Sequence, residues 1–180
     1  MRLPDICRKK TGLRVQYLSL IGYMAQIDGR FDDREIELLE KMAERFKLTD
    51  KNKRIVFSNQ AFDDDQVDRM FQELKDNQLH YSFILDLITM AMADGVILEP
   101  ERLMLSKISR LIGLKHEEFH NLINFVQATS SLHDDNHNDP MFQYVIEMFF
   151  DWARQSNVKL YKQTTFATNE NVDQQLKDKL

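Results

Sequence analysis

The sequence is poor in the residues that make cross-links and tight turns. Its 180 residues include one cysteine, three prolines and five glycines. The lone Cys7 excludes an internal disulfide, as is usual for proteins of a reducing compartment. So few glycines and prolines argue against a sandwich or barrel, whose short strands need many tight turns. We therefore expect an all-α protein.

Long apolar runs are also missing. Asp28 interrupts the first candidate, and Asp86 and Asp94 interrupt the second. Neither run reaches the ~18–20 residues that cross a bilayer. No positively charged segment leads into an apolar stretch with a cleavage site, as it would in a secretory signal. We expect no membrane span, no export signal and a cytoplasmic location.

Charge of one sign is not abundant either. The chain has 29 acidic and 24 basic residues, for a net charge of −5. Attraction to a phosphate backbone therefore cannot be a general basis of binding, and we expect no nucleic-acid partner. Hydrophobic residues make up 43% of the chain, which favours a folded globular protein.

What the sequence does contain is an internal repeat. Shifting the chain by 66 residues places the segment 24–29 (MAQIDG) over the segment 90–95 (MAMADG). The register continues without a gap through Glu35 over Glu101 and Leu48 over Leu114, with eight identities in the 25 positions from 24 to 48. Two copies of one supersecondary unit are the simplest explanation.

Each unit is interpreted as a helix, an Asp-Gly turn and a second helix. Apolar residues recur at helical spacing before each turn, and Gly29 and Gly95 suit a helix C-terminus that needs a positive φ. Acids at the start of the next helix suit its partial positive charge, and Pro100 suits its first position. The sequence thus predicts a bundle of two repeated helical units.

Further helices are predicted over 49–58, 63–77 and 116–129, which makes seven before Ser130. A polar linker then leads to Asp139-Pro140, a typical start for an eighth helix over 140–155. The stretch 158–180 is polar and weakly patterned, and we interpret it as a loose tail or a marginal helix. The predicted organisation is a helical domain over 1–129 and a C-terminal part over 130–180.

The doubled motif Met-Ala-x-x-Asp-Gly, with Glu six residues after the Gly, resembles the tellurite-resistance TerB-like family over residues 13–128. This resemblance implies an all-helical domain of two halves, found in bacterial stress and phage-defence gene neighbourhoods and as a module in membrane-anchored DnaJ-like co-chaperones. It also implies a divalent-cation site at Asp28, Glu35, Asp94 and Glu101. No His-Pro-Asp tripeptide occurs, so a J-domain is absent, and residues 130–180 have no counterpart in the motif.

The residues themselves leave two interpretations of these acids open. The residues argue against an EF-hand loop, because Met24 and Met90 stand where Ca²⁺ needs a carboxylate oxygen. If the two Asp-Gly turns meet at one pole of the bundle, four carboxylates would favour a shared cation. Ca²⁺, Mg²⁺, Mn²⁺ and Zn²⁺ are not distinguished. Otherwise the acids only cap their helices and complement the helix dipole.

A second motif favours an enzyme. His116-Glu117 and His120 match the zinc-peptidase pattern H-E-x-x-H, with Glu147 available as a third ligand and Asp151 behind it. Glu117 would then be the general base that activates a zinc-bound water. Against this, His116 lies in the first turn of its helix, and no strand pattern offers an edge for a peptide substrate.

On balance the sequence predicts a non-enzymatic, cytoplasmic module of the tellurite-resistance type that binds proteins and holds a divalent cation at an acidic pole. A homodimer remains open. The alternatives are the zinc peptidase and a purely structural adaptor without ligand, which an exposed apolar face on the eighth helix would favour.

Overall fold

The structure is a computed structural model in which residues 5–26, 33–58, 61–93, 96–131 and 140–161 are described. Within these residues the chain forms no strand, and a short 3-10 helix at Ile6–Arg8 precedes eight α-helices. These are α1 (Thr11–Ala25), α2 (Asp33–Arg45), α3 (Asp50–Val56), α4 (Asp64–Asp76), α5 (His80–Ala91), α6 (Glu99–Leu111), α7 (His116–Ser131) and α8 (Pro140–Gln155). The predicted all-α class is confirmed. None of these helices combines the length and apolarity that a bilayer span needs.

Local capping explains where the helices outside the Asp-Gly hairpins begin. The Thr49 side chain accepts a hydrogen bond from the Asn52 amide at the start of α3 (3.4 Å). At the start of α4, Asp63 and Gln66 form a reciprocal capping box with bonds of 2.7 and 2.9 Å. The eighth helix lies at its predicted position, and α7 ends two residues beyond its predicted end.

The backbone repeats with the sequence. Helices α2 and α6 begin 66 residues apart, at 33 and 99, and end 66 apart, at 45 and 111. Each is followed by a left-handed residue, Lys47 (φ 52°) and Gly113 (φ 86°). The next amides, of Leu48 and Leu114, bond to carbonyls five residues back at 3.1 and 2.8 Å, which closes a Schellman motif. The predicted repeat is confirmed and extends to α3 and α7, so we call α1–α3 the first half and α5–α7 the second half.

The two first helices of the halves form the centre of the core. Each buries residues around most of its circumference, as expected of a helix enclosed by others. Helices α2, α3 and α4 pack on α1, and α4, α6 and α7 pack on α5. Between the two central helices, the Tyr17 ring lies edge-on to the ring of its repeat counterpart Phe83, with centroids 5.4 Å apart.

Two contacts at different heights show that α1 and α5 run in the same direction. Lys9, just before α1, donates from Nζ to the carbonyl of Asn77, just before α5 (3.1 Å). Further along both helices, Tyr17, the seventh residue of α1, contacts Phe83, the fourth residue of α5. The C-terminal ends of α1 and α5 therefore point to the same end of the bundle.

The C-terminal part packs onto the domain. Phe149 of α8 is buried and stacks on Phe125 of α7, with centroids 3.8 Å apart. After α8 the chain returns to α5, where the Tyr161 amide donates to Ser82 Oγ at 3.0 Å. Val158, Leu160 and Tyr161 are each about 98% buried. The interpretation of 158–180 as a loose tail or marginal helix is thus wrong for 158–161, which are ordered and non-helical, while 162–180 lie outside the described residues.

Candidate acidic site and buried carboxylate

Of the four acids predicted to hold a cation, Glu35 and Glu101 lie within the described residues. They occupy the same position, the third residue, of the counterpart helices α2 and α6. Glu101 Oε2 accepts a hydrogen bond from the Leu98 amide at 2.7 Å, so this carboxylate caps α6. Pro100 is the second residue of α6 rather than the first. Asp28, Gly29, Asp94 and Gly95 lie outside the described residues.

Negative charge accumulates at the start of both helices. The first turn of α2 carries Asp33 and Glu35, and the first turn of α6 carries Glu99 and Glu101. Acids in this place are stabilised by the positive end of the helix dipole. Among the described residues, no group of three or more His, Cys, Asp and Glu side chains could hold a metal. A cation site at this pole thus depends on Asp28 and Asp94 and stays a prediction.

The zinc-peptidase motif is not assembled as a metal site. The His116 and His120 rings pack edge to face on the exposed side of α7, with centroids 4.4 Å apart. Among the described residues, Glu147 of α8 does not form a group of three possible metal ligands with these two histidines. Glu118 is the acid that the fold uses here, because it accepts hydrogen bonds from the Lys115 amide (2.8 Å) and the Tyr81 hydroxyl (3.2 Å).

A buried carboxylate on α5 is the polar feature whose role sequence reasoning missed. Asp86 is 0% exposed, and its Oδ2 accepts a hydrogen bond from the Tyr17 hydroxyl of α1 at 2.7 Å. Burial, followed by the Asp86 charge, raises the pKa of Tyr17 well above its usual value, so the phenol remains a donor. The sequence feature that could have revealed this role is an acidic residue within an otherwise apolar helix, at the position that Leu20 occupies in the first copy of the repeat.

Arg45 at the end of α2 supplies the opposite charge. Burial lowers the pKa of its guanidinium, and the nearby Asp86 carboxylate raises it. The side chain stays charged, because arginine does not deprotonate in proteins. One guanidinium nitrogen, Nη1, is buried without a hydrogen-bond partner among the described residues. Asp86 thus joins α5 to α1 through Tyr17, with the Arg45 charge of α2 nearby, and because Asp86 is sealed from solvent, this group acts on the fold rather than on a substrate.

Two further sequence features have structural roles. Burial, and then the Asp5 carboxylate, raise the pKa of the Cys7 thiol, which is therefore not an activated nucleophile. On α8, Ile146 and Phe149 are buried, whereas Tyr144 and Met148 are more than half exposed. Part of the apolar face that would have favoured a structural adaptor is therefore covered.

Comparison with known proteins agrees with this architecture. The family model described as "Tellurite resistance protein TerB" matches residues 14–124, more than half of the chain and nearly the whole of both halves. No curated protein and no solved structure matches the chain. The repeat, the helical hairpins and this match lead to one conclusion: the chain belongs to the TerB family of tellurite-resistance proteins.

Proposed function

We propose that this chain is a non-enzymatic, protein-binding module of a tellurite-resistance-type stress response in the cytoplasm, and that Asp28, Glu35, Asp94 and Glu101 bind one divalent cation between its two halves. The observation that carries the proposal is the direction of the central helices. Because α1 and α5 run the same way, the chain leaves both of them at the same end of the bundle.

The position of the two described acids supports this arrangement. Glu35 and Glu101 lie in the first turns of the helices that follow α1 and α5, at counterpart positions. A hairpin that leaves the common end and returns along its partner begins its second helix near that end. The residue types fit the ligand, because carboxylate oxygens suit hard divalent cations.

If the two halves share one cation, its binding would affect how the halves pack against each other. In the proposed arrangement, the first turns of α2 and α6 would bring four carboxylates to one pole of the bundle, Asp33 and Glu35 from one half and Glu99 and Glu101 from the other. Like charges repel, and a bound cation would offset that repulsion and fix how the halves pack. The surface offered to a protein partner, or to a second copy of the chain, would then depend on cation concentration.

Thermal melting in Ca²⁺, Mg²⁺, Mn²⁺ or Zn²⁺ tests the cation. A ligand at one hundred times its dissociation constant stabilises the native state by about 2.7 kcal/mol, which raises Tm by roughly 7 °C for a chain of this size. We expect at least one of the four cations to produce such a shift. An unchanged Tm in all four would contradict the proposal.

The variants Glu35→Gln and Glu101→Gln make this test specific. Glutamine keeps the capping hydrogen bond and removes the charge, so the helices should remain intact while the cation-dependent rise in Tm is lost. Glu40→Gln, on an exposed position of α2, is the matched control and should retain the rise. Equal behaviour of all three variants would place the cation elsewhere.

Metal analysis of the purified protein addresses the non-enzymatic part of the proposal. The separation of Glu147 from the two histidines leads us to expect far less than one tightly held zinc per chain. A full equivalent of zinc, together with peptidase activity that Glu117→Gln abolishes, would establish the zinc enzyme instead.

A further inference from the structure

Helix α6 carries two leucines on its solvent-exposed side. Leu103 is 55% exposed and Leu111 is 57% exposed, and the exposed Lys107 and Arg110 accompany them. At 3.6 residues per turn, all four side chains start within about 100° of the helix circumference. Within the described residues neither of the two cations forms an ion pair. These four residues, which we call the α6 stripe, thus form an apolar and positively charged surface.

The repeat shows that helix packing does not require leucines on this surface. Four exposed apolar residues of the second half correspond to charged residues of the first half: Val96, Leu98, Leu103 and Leu111 stand over Arg30, Asp32, Glu37 and Arg45. Glu37 is exposed on α2, where it pairs with Lys41 at 2.6 Å. Because this counterpart position accepts an exposed charge, the leucines of α6 are better explained by a contact outside the chain.

Helix α8 carries a stripe of the opposite charge. Tyr144 is 58% exposed and Met148 is 54% exposed, and Glu147 and Asp151 beside them are exposed too. These four residues, which we call the α8 stripe, also start within about 100° of the helix circumference. Asp151 forms an ion pair with Arg154, which leaves these side chains with a net negative charge. The α8 stripe therefore complements the α6 stripe in charge and matches it in apolar content.

A groove of about 380 Å³ between α7 and α8 borders the α8 stripe, and apolar side chains make up most of its lining. On α8 it reaches from Tyr144 to Trp152, which are eight residues or about 12 Å apart at 1.5 Å per residue. Leu103 and Leu111 are also eight residues apart on α6. Both leucine side chains can therefore enter the groove when α6 of another chain lies along α8.

We propose that this chain forms a two-fold dimer in which α6 of each copy lies along α8 of the other. Leu103 and Leu111 enter the groove, and the two basic residues of the α6 stripe face the two acids of the α8 stripe. In a two-fold pair this contact occurs twice. Pairing of α6 with α6, or of α8 with α8, would instead bring like charges together. This assignment rests on the protein-binding role proposed above and gives it a partner, and the contact itself needs no cation.

Sedimentation equilibrium of the full chain in EDTA measures the self-association, and we expect an equilibrium between monomer and dimer. Leu103→Asp and Met148→Asp each place a carboxylate in the apolar part of the contact. Each should weaken the dimer about a hundredfold, which is about tenfold for each of its two contacts. Both positions are exposed in the monomer, so circular dichroism should show that the fold is retained. Lys51→Asp, on the exposed surface of α3, is the matched control and should dimerise as the unmodified chain does.

Charge reversal identifies which surfaces meet. Lys107→Glu with Arg110→Glu on α6, or Glu147→Lys with Asp151→Lys on α8, brings like charges together and should weaken the dimer about tenfold or more. All four substitutions in one chain restore opposite charges across the contact, so dimerisation should return to within about threefold of the unmodified chain. Pairing of α6 with α6, or of α8 with α8, predicts no such rescue.

A chain that stays monomeric in EDTA at every concentration would contradict the dimer and assign the two stripes to a different protein. Equal dimerisation of Leu103→Asp, Met148→Asp and Lys51→Asp would place the interface elsewhere. A fourfold-substituted chain that associates no better than either reversal alone would exclude a contact of α6 with α8. The cation site is tested separately by melting, so loss of the dimer leaves that site unaffected.

Discussion

The first half and the second half share a backbone fold and a set of buried leucines at counterpart positions. They differ in the polar residues of their central helices, α1 and α5. Leu39 and Leu105 are both fully buried, and Leu48 and Leu114 are 7% and 6% exposed. These pairs hold the second helix of each half against the first. Duplication has therefore preserved the positions that set helix packing, although few of the residues between them are identical.

The differences lie on α1 and α5. Leu20 is an apolar core residue in the first half, while its counterpart Asp86 is a buried carboxylate held by Tyr17 from that first half. Ser19 lines a cleft, while its counterpart Leu85 is sealed in the core. Each half has thus acquired one polar feature that the other fills with leucine. The carboxylate connects the halves, and the cleft lies between the first half and α4.

The largest loss of stability should come from replacing Asp86, the position at which the two halves differ most. Asp86→Ala removes the buried hydrogen-bond partner of Tyr17 and the carboxylate that lies near the half-buried Arg45 charge, and we expect it to lower the free energy of unfolding by about 4 kcal/mol. Urea denaturation followed by circular dichroism measures this loss. Tyr17→Phe, which removes a single hydrogen bond, should cost about 1.5 kcal/mol. A loss below about 1 kcal/mol for Asp86→Ala would mean that the carboxylate does not join the halves.

The next largest loss of stability tests whether the buried leucines of the two halves contribute equally. Leu39→Ala and Leu105→Ala each create a cavity at a fully buried counterpart position, and we expect each to cost about 3 kcal/mol. Chemical denaturation of the two variants side by side gives the comparison. If one variant cost a small fraction of the other, only one half would carry the stability of the domain.

Gly22 and Ile88 allow an exchange between the halves. A Cβ at Gly22 would lie 3.1 Å from Leu39 Cδ2, whereas the counterpart Ile88 is fully accommodated. Gly22→Ile places the side chain of the second half where α2 leaves no room, and overpacking of this kind costs about 2 kcal/mol. The midpoint of urea unfolding should fall accordingly. An unchanged midpoint would show that α2 can move away from α1.

The smallest effect concerns the ends of α2 and α6. Gly113 has φ 86°, so Gly113→Ala should cost about 1 kcal/mol, because a side chain is strained in this region. Its counterpart Lys47 carries that strain already, at φ 52°. Lys47→Gly should therefore stabilise the chain by about 0.5 kcal/mol. Differential scanning calorimetry resolves both changes, and effects of the same sign would contradict equivalent helix ends.

Sequence patterns predicted the elements well because the information for them is local. Helical spacing of apolar residues placed α4, the Asp139-Pro140 start placed α8, and the 66-residue register placed the hairpins. The family likewise followed from a motif that occurs twice.

What could not be predicted depends on contacts between residues distant in sequence. The Tyr17 hydroxyl and Asp86 are 69 residues apart, and the Tyr161 amide and Ser82 are 79 apart. No periodic pattern marks either pair. Residues 158–161 appeared to belong to a tail because three apolar residues are too few for a pattern, although they pack onto α5. Glu35 and Glu101 were identified by position, but their relation to Asp28 and Asp94 is set by the turns rather than by the helices.

Paramagnetic broadening by Mn²⁺ tests most directly whether the halves meet in one acidic pole. Substoichiometric Mn²⁺ is added to ¹⁵N-labelled protein, and the loss of amide signals is compared between the first turns of α2 and α6. We expect one saturable ion to broaden both turns together, and Glu101→Gln to abolish the effect at both. Broadening confined to one half, or spread over acidic residues throughout the surface, would contradict a shared site.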